Sequence, residues 1–191
     1  MTVLVSIDGQ DQVGKSTQIN LLEEKLKEKY GYDVKVKRSP FNYVLGKVIR
    51  WMLSGGKARS WPNLFQALYI FDRFLYQLLF LTYDKKHNDY IIFDRWKASG
   101  FAYGSSENVW RWLIKAGEHI IVEPNVTIVL TGKKKGRTEP GDTYDVDNNL
   151  QKQVALNYII YSIIKPNVVF IDADDLHAAN QHILEAVFDV N

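Results

Sequence analysis

The chain has 191 residues, which fits one ordinary domain of roughly 100–200 residues. Lys and Arg number 24 against 22 Asp and Glu, so net charge gives no argument for nucleic-acid binding. Cysteine is absent, which excludes disulfides, a thiol nucleophile and a cysteine metal site. No apolar stretch reads as approaching the ~18–20 residues needed to span a bilayer. A strand begins within three residues of Met1, leaving no room for a leader peptide. The default expectation is therefore a cytoplasmic enzyme with no membrane partner.

In chain order, residues 3–7 are β-branched and apolar and read as a buried strand. Residues 9–17 then read G-Q-D-Q-V-G-K-S-T, the G-x-x-x-x-G-K-S pattern. Residues 15–29 follow with Ile19, Leu22 and Leu26 at helical spacing. Strand, glycine loop and helix in this order specify a phosphate-binding P-loop. Gly9 and Gly14 let backbone N–H groups turn inward at a helix N-terminus. Lys15 is expected to reach the β- and γ-phosphates of a nucleoside triphosphate, and the Ser16 hydroxyl to hold Mg²⁺. The expected ATP-binding set is Gly9, Gln12, Val13, Gly14, Lys15, Ser16 and Thr17.

Residues 33–38 alternate apolar and charged side chains and read as a second strand. Residues 43–53 read as a short helix closed by Ser-Gly-Gly, and residues 61–83 as a long helix with Pro62 in its first turn. In that long helix Asp72-Arg73 sits among Leu, Phe and Tyr, so the arginine must reach solvent, a carboxylate or a ligand. Residues 90–93 form a compact strand ending in Asp94-Arg95. Asp94 suits the second carboxylate of a Mg²⁺ site, and Arg95 could grip a phosphate with two donors; the other reading is a surface ion pair. Helical stretches follow at 97–103 and 108–116, a strand at 126–130, and a basic glycine-containing loop at 131–143. Residues 145–164, 168–171 and 176–187 read as helix, strand and closing helix. Five strands alternating with helices predict an α/β domain spanning residues 1–191. Its sheet should be five-stranded and mostly parallel, with helices on both faces. Ligands in such folds gather beyond the strands' carboxyl ends, where Gly9, Arg38, Asp94, Thr131 and Asp172 fall.

Four segments together resemble the thymidylate kinase family: D-G-Q-D-Q-V-G-K-S-T-Q, A-L-Y-I-F-D-R, D-R-W-K-A-S-G-F-A-Y and G-D-T-Y-D. The third is most similar to the eukaryotic and poxvirus branch. The resemblance runs to about residue 156, and Ile171-Asp172-Ala173 is similar to the family's adenine-side loop. It implies the nucleoside monophosphate kinase fold and phosphoryl transfer from ATP to dTMP with Mg²⁺, commonly in a homodimer. It also implies roles: Asp11 near the acceptor's sugar and phosphate, Tyr69 stacking on the pyrimidine, Arg73 donating to the base O4, and Arg95 on the acceptor phosphate. Ser99 falls near the base edge, Tyr103 crowds the sugar, and Tyr144 packs near the deoxyribose.

Two departures stand out. Gln12 occupies the position where the eukaryotic branch carries an arginine that stabilises the transferring group. A lid at 131–143 containing Lys133, Lys134, Lys135 and Arg137 can supply that cation instead, and Arg137 is the expected catalytic member beside Lys15 and Arg95. The second is Arg38-Ser39-Pro40-Phe41, which lacks the family's arginine after the proline. Arg38 and Phe41 are the candidates to serve the acceptor there. Thr143 and Trp96 also depart from the family pattern, so a dUMP or 5-substituted dUMP kinase remains open. A deoxynucleoside kinase and a non-catalytic nucleotide switch remain open as well. The first of these two needs a carboxylate base just beyond the second strand, where this chain has none.

Overall fold

The computed structural model describes residues 2–41, 44–54, 56–133 and 148–190. Arg137, Thr143 and Tyr144 lie outside the described residues, as do Lys134 and Lys135.

Strands β1 (Val3–Gly9), β2 (Val34–Arg38), β3 (Tyr90–Asp94), β4 (Val126–Thr131) and β5 (Val168–Asp172) form one sheet in the order β2-β3-β1-β4-β5. Every pairing among the described residues is parallel. The side-chain period of two divides β1 between the faces of the sheet. Val3, Val5 and Ile7 join the core under α1 (Lys15–Glu24) and the last helix, α9 (Leu176–Phe188). Leu4 belongs to the aromatic cluster of Tyr76, Phe93 and Trp96, so Ser6 and Asp8 also face that second side. A phase set by apolar burial thus directs a carboxylate into the interior two residues past a serine.

The helices arise where the spacing predicts, with adjustments at their ends. Helix α2 spans Val44–Ser54, and a short helix α3 (Lys57–Ser60) precedes the long one. Helix α6 (Lys97–Ser106) is followed by Asn108 in the left-handed region at φ 55, a common way to end a helix. That turn delays α7 to Arg111–Ile120, later than residues 108–116. Helix α8 covers Asn148–Ile164. Asp175 caps the start of helix α9, its carboxylate accepting the N–H groups of His177 and Ala178 at 2.9 Å.

The long helix corrects one expectation. Helix α4 (Pro62–Tyr76), a π-type turn (Gln77–Leu81) and α5 (Thr82–His87) make a continuous run of 26 residues. That run is long and apolar enough to cross a membrane by length and composition alone. In this fold it buries Ile70, Asp72, Arg73 and Tyr76 against the domain and leaves Leu64, Phe71, Leu78 and Leu79 exposed.

The strands end level with one another. Asp94 registers against Ile7 and Arg38, Gly9 against Leu130, and Thr131 against Asp172. The P-loop, the Asp94-Arg95 corner and the residues after β4 and β5 therefore share one edge of the sheet, where ligands of such folds bind.

Candidate active site

The P-loop is built on backbone that only a few residues tolerate. Gly9 has φ 136, and a β-carbon there would lie 2.4 Å from the Leu130 carbonyl oxygen, so a side chain is excluded. Gly14, at φ 91, precedes the first turn of α1 and aims the N–H groups of Lys15, Ser16 and Thr17 outward. Gln12 is also left-handed at φ 66, a costly conformation for a residue with a β-carbon and one that clusters at functional sites. Val13 turns its side chain into the core, so only its backbone can serve a phosphate. Lys15 is buried; its Nζ donates to the Gln10 carbonyl and lies 4.0 Å from Asp11. The hydroxyl-bearing Ser16 and Thr17 are exposed.

A buried network locks this loop to the segment after β3. Asp8 is fully buried and accepts the N–H groups of Trp96 at 3.1 Å and Ser99 at 2.9 Å. It also accepts the hydroxyls of Ser6 and Ser99. Tyr158, from α8, exchanges hydrogen bonds with the Gly9 backbone at 3.2 and 3.3 Å and meets the Ser99 hydroxyl at 2.9 Å. Burial pushes the Tyr158 phenol up to about 12, so it holds its proton. Gln10 Nε2 donates to the Gln151 carbonyl at 2.7 Å, a second tie from α8. Asp8, Tyr158 and Gln151 carry none of the expected roles. The residue phase of β1 was the available signal for Asp8; the long-range partners of Tyr158 and Gln151 left none.

Arg95 sits at φ 65 and is strained for the same reason as Gln12. Its guanidinium donates to the Gly9 carbonyl at 3.2 Å and to Asp11, and lies 5.5 Å from the Tyr103 ring. The Tyr103 hydroxyl donates to the other Asp11 oxygen at 2.7 Å. Burial pushes the Tyr103 phenol up to about 12, which keeps it a donor. Asp94 ends β3 with Arg38 Nε 3.6 Å away. Its burial raises its pKa, against the pull of Lys15 and Arg38.

Beyond this charged edge lies a cavity of about 270 Å³. Asp11, Tyr69, Arg73, Arg95, Ser99 and Tyr103, drawn from three separate stretches of sequence, all line it. Arg73 is 4% exposed, yet its guanidinium has no hydrogen-bond partner among the described residues. Aromatic rings flank it, Tyr69 at 5.3 Å and Trp96 at 5.8 Å from its guanidinium carbon. It does not pair with its neighbour Asp72, which accepts the Phe41 N–H at 3.1 Å instead. Burial pulls the pKa of Arg73 down from its ordinary value. A cation held this way retains its full donor capacity for a ligand.

Two expectations need correcting and a third is narrowed. Phe41 does not line the cavity; its ring stacks on Tyr76 at 4.6 Å inside the core, because the apolar pocket there buries it. Arg38 does not line the cavity either. Its side chain is 56% exposed and held on the P-loop side by Asn20 at 2.9 Å and by Asp94. Ser99 reaches the cavity wall, but its hydroxyl is committed to Asp8 and Tyr158. Among the described part of the basic loop, the Lys133 N–H donates to Asp174 at 2.7 Å, which brings the loop's start to the segment after β5.

A model of the family described as thymidylate kinase matches residues 7–180. A probable thymidylate kinase of Thermococcus onnurineus is 30% identical over 194 residues, covering 92% of this chain and 93% of its own. Probable thymidylate kinase 1 of Saccharolobus solfataricus is 33% identical over 132 residues, 68% of this chain and 65% of its own. In three dimensions the thymidylate kinase of Ehrlichia chaffeensis superposes with a TM-score of 0.77 at 20% identity, covering 98% of both chains. That of Candida albicans gives 0.77 at 20% identity, over 98% of this chain and 92% of its own. These two show that the fold is shared. With the family match spanning nearly all of the sequence, the chain belongs to the thymidylate kinase family.

Proposed function

We propose that the chain transfers the γ-phosphoryl group of ATP to dTMP, giving ADP and dTDP, with the donor in the P-loop and the acceptor in the cavity beside it. The observation that carries this reading is Arg73, a buried guanidinium with unused donors beside the aromatic face of Tyr69. Tyr69 stacks on the pyrimidine and Arg73 donates to O4. Arg95 and Asp11 stand between this cavity and Gly9, where the acceptor phosphate must lie to meet the donor.

The acceptor phosphate is itself the nucleophile, so the chain's work is alignment and charge stabilisation. Lys15 and the N–H groups at the start of α1 hold the donor phosphates. Arg95 turns the acceptor phosphate towards them. Its release from Asp11 on substrate binding would leave Asp11 to accept from Tyr103 and from the acceptor. The partly buried Asp94 carboxylate and the exposed Ser16 hydroxyl suit Mg²⁺, which takes one or two carboxylates plus phosphate oxygens and water. That ion would neutralise charge on the β- and γ-phosphates. The cation that Gln12 does not provide is assigned to the lid, with Arg137 as first candidate. The exposed stripe of Leu64, Phe71 and Leu78, spaced by seven on α4 and its π-type turn, is the face we assign to a homodimer.

A coupled assay with ATP against dTMP, dUMP, thymidine and dCMP tests the reading. Turnover of dTMP is expected, with none of thymidine. Transfer to thymidine but not to dTMP would overturn it.

A further inference from the structure

We propose that Gln66 reads the N3–H of the acceptor base and, with Arg73, excludes cytosine. The inference rests on the reading above, in which the base lies in the cavity over Tyr69.

Gln66 and Arg73 are seven residues apart on α4, so they share a face of the helix. Both line the cavity and both face α6. Gly100 makes the room: a β-carbon there would lie 2.8 Å from an Arg73 terminal nitrogen and 3.5 Å from Gln66 Nε2. One turn on, a β-carbon at Gly104 would lie 3.4 Å from Gln66 Cδ. The amide of Gln66 thus occupies a trough formed by two glycines.

One hydrogen bond fixes which way the amide points. Gln66 Nε2 donates to the Gly100 carbonyl at 3.1 Å. A carbonyl can only accept, so the NH₂ end of the amide faces it and the amide oxygen is the atom turned away. That oxygen has no hydrogen-bond partner among the described residues, although Gln66 is only 8% exposed. The cavity wall therefore carries an oriented acceptor beside the unpartnered donors of Arg73.

This order of groups matches one pyrimidine edge. Thymine and uracil present O4, an acceptor, next to N3–H, a donor. Arg73 meets the first and Gln66 Oε1 the second. Cytosine presents an amino donor next to a bare N3, so both contacts would oppose like with like. Buried polar groups left without partners give large discrimination. The same pair cannot distinguish thymine from uracil, so any preference between dTMP and dUMP comes from elsewhere in the cavity.

The test is a chemical cycle using dUMP and N3-methyl-dUMP, in which a methyl group replaces the N3 proton while both carbonyls are kept. For the unaltered enzyme, kcat/KM is expected to fall about 10–100-fold on this change, chiefly through KM because the base is remote from the reacting phosphates. In Gln66→Ala, which removes the acceptor and leaves room for the methyl group, dUMP itself should fall by a similar factor, and the difference between the two nucleotides should shrink to within about 3-fold. The ratio of dTMP to dCMP turnover should fall in the same variant. An equal penalty for N3-methyl-dUMP in both enzymes would overturn the assignment. Equal use of dUMP and N3-methyl-dUMP by the unaltered enzyme would also overturn it, without any reliance on the variant's folding. Absence of dTMP and dUMP turnover in the unaltered enzyme would instead sink the underlying reading of the cavity.

Discussion

The phosphate side and the base side of the site are built in opposite ways. On the phosphate side the charged groups have protein partners: Arg95 with Asp11 and Gly9, Tyr103 with Asp11, Asp8 with Trp96, Ser99 and Ser6. On the base side Arg73 is buried and the amide oxygen of the largely buried Gln66 lines the cavity, both with no hydrogen-bond partner among the described residues. The first arrangement holds the loop rigid enough to align two nucleotides. The second keeps hydrogen-bonding capacity in reserve, at a cost in stability, and so selects a ligand that can use it.

That contrast can be broken from either end. The largest expected effect is on catalysis from the phosphate side: Lys15→Met should lower kcat by about 10³-fold while the thermal unfolding midpoint stays near its starting value. A loss confined to KM would show that Lys15 only binds. Next, Asp8→Ala should destabilise the fold by about 3–5 kcal/mol in denaturant unfolding, because several buried donors lose their acceptor together. A change under about 1 kcal/mol would mean the network does not hold the loop. Arg73→Met should do the reverse. Stability should be unchanged or raised by about 1–4 kcal/mol, since a buried charge without partners is replaced by a side chain of similar length. kcat/KM for dTMP should meanwhile fall about 100-fold. A marked loss of stability would contradict the claim that this arginine is reserved for ligand. Smallest of all, Arg38→Ala should change kcat/KM for dTMP by less than about 3-fold, because Arg38 is exposed and outside the cavity. A drop of 10-fold or more would restore it as an acceptor-phosphate ligand.

The sequence made the phosphate side legible because its constraints are local. The spacing of Gly9, Gly14, Lys15 and Ser16 between a strand and a helix fixes the loop, and runs of β-branched residues mark the five strands. Arg73 could be singled out because a lone cation among Leu, Phe and Tyr needs a reason. The rest depended on direction in space. Phe41 follows a proline near the cavity, yet the stack with Tyr76 carries it inward. Ser99 sits on the correct turn of α6, but Asp8 claims its hydroxyl. Gln66 looks like any polar residue on a half-exposed helix; only the facing glycines of α6 show that it is enclosed. The run from Pro62 to His87 does not read as one apolar segment because Asp72 and Arg73 interrupt it.

The most direct test of the account is a crystal structure of the enzyme with dTMP bound. It should show the thymine ring stacked on Tyr69, O4 within hydrogen-bonding distance of the Arg73 guanidinium, and the phosphate on Arg95. A thymine lodged elsewhere, with Arg73 still making no contact to the nucleotide, would contradict it.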